Sequence, residues 1–164
     1  MTNSNQIAIQ YILNKAFKKL DQNSKNLYHI VITDLKAKHS KDYIFKTGTY
    51  LLKPLFKESK LQGGFMDYVN VIEYSSDISK GGLTKDIKDL GLHSHIIINT
   101  TLPETSVQHY ANSVFGKGVD VFVENITNNH SKHRVYDYLQ KQVHILTDDS
   151  YKIMIGNPTK NKQH

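Results

Sequence analysis

The sequence predicts an α+β domain, a mostly antiparallel sheet with helices packed on one of its faces. Three observations point there. Short runs of β-branched and other apolar residues recur along the 164 residues. Longer segments between them carry apolar residues three and four apart, which is helical spacing. No repeat, composition shift or proline-rich linker divides the chain, and its length suffices for one core without covalent staples. One domain over residues 1–164 is expected, with residues 1–26 a helical N-terminal extension and 156–164 a flexible tail.

Taken in order, Ile7, Tyr11, Ile12, Ala16, Phe17 and Leu20 form the stripe of an amphipathic first helix, broken at Asn23-Ser24-Lys25-Asn26. Leu27 to Thr33 is nearly continuously apolar, the pattern of a central strand. Ile44, Leu51, Leu52, Leu55 and Phe56 mark a second helix, made irregular by Gly48 and Pro54. Gly63-Gly64 is a turn, and Tyr68 to Tyr74 a second strand. A polar stretch rich in Lys, Asp, Ser and Gly runs from Ser75 to Gly91 and leads into a strand at Leu92 to Asn99. A helix around Val107 to Phe115 follows Pro103 and is closed by Gly116 and Gly118. Val119 to Glu124 alternates as a fourth strand, and Asn128 or Asn129 caps a helix over residues 130–143. Val143 to Leu146 and Lys152 to Ile155 offer further short strands.

Composition narrows the chemistry. There is no cysteine, which excludes thiolate metal sites, disulfides and cysteine nucleophiles. No apolar run reaches membrane-spanning length, and the first residues lack the regions of a signal peptide, so a soluble intracellular protein without a membrane partner is expected. A net charge of +6 suits a polyanionic partner. Arg134 is the only arginine, so bidentate arginine readout of duplex bases cannot be the main source of specificity for nucleic acid.

Three groups of residues carry the chemistry. His93 and His95 stand two apart on a strand and therefore share a face; they are either a metal-ligand pair or two polar residues on a half-exposed strand. Glu73 lies within an otherwise apolar strand whose Val69 and Val71 share its face, and a carboxylate there is costly to desolvate unless it is paired or bound to a cation; the alternative is an edge-facing, hydrated carboxylate. Two imidazoles and a carboxylate suit Mn²⁺, Mg²⁺ or Zn²⁺. On the last helix, Val135, Leu139 and Val143 form the core stripe, Tyr136 flanks it, and Tyr138 falls at the solvent boundary. Arg134 and Lys141 share the Tyr138 face. That face is either a solvated charged surface or a tyrosine hydroxyl between two cations, suited to phosphate.

The succession Val71-Ile72-Glu73-Tyr74, His93-Ser94-His95 followed by Ile96-Ile97-Ile98, and Val135-Tyr136-Asp137-Tyr138-Leu139-Gln140-Lys141 resembles the motif series of the HUH endonucleases. Within these it is most similar to rolling-circle replication initiators (Rep proteins) of small plasmids and viruses. Tyr28 to Thr33 stands where the family's first apolar strand motif belongs. Ser94 replaces a usual apolar residue, and the stretch between Glu73 and His93 is longer than the family's short hairpin. The resemblance spans about residues 27–143. It implies an RRM-like, five-stranded antiparallel sheet with flanking helices.

The resemblance also implies the activity: metal-dependent nicking and joining of single-stranded DNA at a replication origin, through a 5′-phosphotyrosine. Tyr138 would be the nucleophile, Lys141 its companion, and His93, His95 and Glu73 the ligands of Mn²⁺ or Mg²⁺. Arg134, Lys80, Lys85 and Lys88 are the expected DNA-binding cations. A separate helicase, a host polymerase and a location in the host cytoplasm are the implied setting. Two alternatives stay open: a single-tyrosine HUH transposase, in which Gln142 would be the third ligand, and a nucleic-acid-binding module without chemistry.

Overall fold

The computed structural model describes residues 4–21, 26–34, 40–74, 92–114, 118–142 and 151–155, and at 4–9, 41, 73–74, 141–142 and 151–155 it describes the backbone alone. The elements run α1 (Ser4–Asp21), β1 (Asn26–Asp34), α2 (Lys41–Leu61), β2 (Met66–Tyr74), β3 (Leu92–Thr100), α3 (Glu104–Ser113), β4 (Val119–Asn125), α4 (Asn129–Gln142) and β5 (Tyr151–Ile155). The strands form one antiparallel sheet in the order β4-β1-β3-β2-β5. The expected α+β class with about five strands is therefore present. Val143 to Leu146, Lys80, Lys85 and Lys88 lie outside the described residues.

Helices cover both faces of the sheet, not one. The reason lies in β1 and β3, whose apolar residues are continuous and not alternating, so both faces must be buried. One face carries Ile30, Ile32, Tyr68, Ile72, Ile96 and Ile98 against Ile44, Leu51, Leu52, Leu55 and Phe56 of α2 and Val107 and Ala111 of α3. The other carries Leu27, Val69, Val71 and Ile97 against Leu13, Phe17 and Leu20 of α1 and Val135, Tyr136 and Leu139 of α4. Thus α1, expected as an extension, is part of the second core. Its inward stripe uses Leu13, while Tyr11 and Ile12 are exposed.

Helix α2 is also more regular than its glycine and proline suggest, running unbroken for 21 residues with Pro54 inside it. Gly48 marks a close approach: a Cβ there would stand 2.9 Å from Asn70 Nδ2 and 3.2 Å from Ile96 Cδ1. Beneath it the buried Ser94 hydroxyl donates to Asn70 Oδ1 at 2.6 Å. A serine between the two histidines thus faces α2, away from them, and its small polar side chain serves this helix–sheet contact.

Candidate active site

Strand alternation and register bring the site together. On β3, His93 pairs with Glu73 of β2 and Thr33 of β1, and His95 pairs with Val71 and Val31. One step further along the same face, His29 of β1 pairs with Ile97 on one side and Glu124 of β4 on the other. Paired residues project to the same face of an antiparallel sheet. His93, His95, His29, Glu124 and Phe122 therefore share the face that α1 and α4 partly cover.

Contacts between α1 and α4 set the orientation of the tyrosines. The Asn128 side chain caps α4 by accepting from Ser131 N at 2.8 Å. The Tyr136 ring stacks on Phe17 of α1, with centroids 4.1 Å apart and planes 2° from parallel, and its hydroxyl donates to Asp21 at 3.3 Å. Lys132 pairs with the same Asp21 carboxylate at 3.4 Å, and Gln140 hydrogen-bonds Asn14. Burial, then the Asp21 carboxylate, raise the Tyr136 phenol above its ordinary pKa. Tyr136 is therefore a packing residue, as the helical wheel expects. Tyr138 stands at the solvent boundary, 45 % exposed, with its ring centroid 5.8 Å from that of His95.

Tyr138, His95 and His29 line a cleft of about 300 Å³, closed by Val135 and by Phe122, Glu124 and Arg134 toward β4. Arg134 forms an ion pair with Glu124, which holds the guanidinium at the cleft wall. His93 and His95 have ring centroids 6.1 Å apart. The rings of His95 and His29 are both buried, and His29 Nε2 lies 3.1 Å from His95 Nδ1. Burial, then His95 and Arg134, push the His29 imidazole down from 6.5 to about 3, so it is neutral at physiological pH.

The structure thus brings together His93, His95, Tyr138 and Arg134 from the expected set. Glu73 and Lys141 are placed by their backbones, opposite His93 on β2 and one turn beyond Tyr138 on α4. Among the described residues, no three His, Asp or Glu side chains converge as a metal-ligand group. The donor chemistry nonetheless fits a divalent ion: two neighbouring imidazoles, with a carboxylate residue directly across the strand pair. His29, Glu124 and Phe122 escaped the sequence reading. A histidine inside the apolar run Tyr28 to Ile32 was the one available sign, and its partner 66 residues away is set only by strand order.

No protein-family model and no curated protein matches the chain. Among solved structures it is similar to the hypothetical protein ORF119 from Sulfolobus islandicus rod-shaped virus 1, at 20 % identity and a TM-score of 0.47, covering 79 % of this chain and 92 % of that one. Among the described residues, no helix is long and apolar enough to cross a membrane.

Proposed function

We propose that this chain is an HUH-type endonuclease that nicks and rejoins single-stranded DNA through Tyr138, in the manner of a rolling-circle initiator of a plasmid or virus. The observation that carries the reading is the placement of Tyr138 and His95 in one cleft, with Arg134 on its wall. His93 and His95 would hold Mn²⁺ or Mg²⁺ with Glu73 as third ligand, and the ion supplies charge stabilisation at the scissile phosphate. The Tyr138 hydroxyl gives up its proton to solvent as its oxygen bonds to phosphorus; the bond from phosphorus to the 3′ oxygen breaks, and that oxygen takes a proton from water and leaves as a hydroxyl. The enzyme retains the 5′-phosphate as a phosphotyrosine, which a later 3′-hydroxyl can attack to rejoin the strand. A phenol of ordinary pKa about 10 needs its developing charge compensated. Arg134 in the cleft and Lys141 on the same helix are the cations for that role. Phe122, 58 % exposed beside the cleft, offers a ring on which an unpaired base can stack.

The test is incubation with mixed-sequence single-stranded oligonucleotides and Mn²⁺, followed by denaturing electrophoresis. A covalent adduct is expected from the wild type. Salt-sensitive DNA binding with no adduct would instead support a binding module without chemistry. The backbone pairing of Glu73 with His93 favours the initiator over the single-tyrosine transposase, whose third ligand would be Gln142. Glu73→Ala should then raise the Mn²⁺ concentration needed for cleavage about tenfold or more, and Gln142→Ala much less. The opposite ranking in a Mn²⁺ titration would replace the initiator by the transposase.

A further inference from the structure

The contact between His29 and His95 has a geometry that separates a hydrogen bond from two ligands converging on one ion. Partial double bonds of about 1.33 Å place each imidazole ring atom about 1.1 Å from its centroid. Two ring nitrogens pointing straight at one another across 3.1 Å therefore put the centroids about 5.3 Å apart, which is the observed separation. The rings are also within 17° of coplanar. Nitrogens aimed at a common ion between them would meet at an angle, with centroids drawn closer for the same nitrogen separation. His29 is thus hydrogen-bonded to His95 edge to edge, inside a buried pocket.

We infer that His29 is a positioning residue that fixes His95 in the tautomer able to bind metal. The inference rests on the metallonuclease reading above. One proton lies between the two facing nitrogens when both rings are neutral. If it sits on His29, His95 must carry its own proton on Nε2, the nitrogen pointing away from His29, and that nitrogen cannot ligate. If it sits on His95 Nδ1 and is donated to His29 Nε2, His95 Nε2 carries the lone pair that a metal requires. Metal-bound histidines commonly donate their second N–H to an acceptor that fixes ring orientation, and losing that acceptor typically costs about 10–100-fold in metal affinity. Here the acceptor is another imidazole, on the neighbouring strand and one step along the same face.

Two variants test this. His29→Gln retains an amide that can accept near the position of the lost Nε2, whereas His29→Leu fills the space and accepts nothing. Imidazole ¹⁵N chemical shifts of His95 in the metal-free protein read the tautomer, and paramagnetic resonance of free Mn²⁺ reads affinity, both without catalysis. The wild type and His29→Gln should show His95 protonated at Nδ1, and His29→Leu should lose that preference. Mn²⁺ affinity should fall about tenfold or more in His29→Leu and stay within about threefold in His29→Gln. Equal loss in both variants, or none in His29→Leu with the fold intact by thermal melting, would overturn the inference. A wild type that binds no Mn²⁺ would sink the metallonuclease reading, and the nitrogen shifts would still decide the role of His29.

Discussion

Tyr136 and Tyr138 stand two positions apart on one helix, about 200° of rotation from each other, and their surroundings differ accordingly. Tyr136 is held between Phe17 and Asp21, while Tyr138 faces the cleft beside His95. Tyr138→Phe should abolish the covalent DNA adduct and leave the fold intact, since the ring that stands beside His95 is kept. Tyr136→Phe should keep the adduct and lose about 0.5–1.5 kcal/mol in urea unfolding, the worth of one hydrogen bond. Adduct formation that survives in the Tyr138 variant would remove it as nucleophile. His29 makes a separate prediction about acid stability. Its folded-state pKa lies below its unfolded value, so below pH 6.5 the unfolded chain takes up a proton that the folded one excludes. The stability this group contributes is full above pH 6.5 and is lost as the pH falls toward about 3. By about pH 4.5 the loss should be about 3 kcal/mol. Denaturant titrations across that window should show a flatter acid limb for His29→Gln.

Helix α2 approaches the sheet most closely at Gly48, above the Ser94–Asn70 hydrogen bond. In an isolated helix Gly48→Ala would gain about 1 kcal/mol. Here the added methyl would press on Asn70 Nδ2 and the Ile96 side chain, both buried and neither free to retreat into solvent. Overpacking of this kind typically costs about 1–3 kcal/mol, so a net loss of stability is expected; a more stable Gly48→Ala protein would show that α2 can shift outward. The same region shows what could be read from sequence. Strands β1 and β3 announce themselves through β-branched runs, α4 through its Asn cap and apolar stripe, and the two histidines through simple alternation. Gly48 and Pro54 misled, because tertiary packing holds α2 continuous where local propensity weakens it. The cover on both faces was implicit in the continuous apolar character of β1 and β3. What no local pattern encodes is that β1 lies between β4 and β3, and that order alone brings His29, Glu124 and Phe122 beside His95.

The distribution of charge and aromatic surface over the protein bears on how DNA would be held. The net charge of +6 is built on lysine, while the one arginine is tied to Glu124. Lysines bind phosphate as point charges, and each contact to a single strand contributes about −0.7 to the slope of log affinity against log salt. Phe122 acts differently: it stands on β4 at one edge of the described sheet, lines the cleft and is largely exposed, and an aromatic ring there offers stacking area that salt does not screen. Phe122→Ala should therefore weaken binding of a single-stranded oligonucleotide by about 1–3 kcal/mol and leave the salt slope unchanged. Phe122→Tyr should restore most of the affinity, because the ring and not its substituent supplies the contact. The measurement is fluorescence anisotropy of a labelled oligonucleotide at several salt concentrations. A Phe122→Ala protein with wild-type affinity would mean that the strand enters the cleft from the β2 side. A changed slope would mean that the substitution displaced the cations themselves.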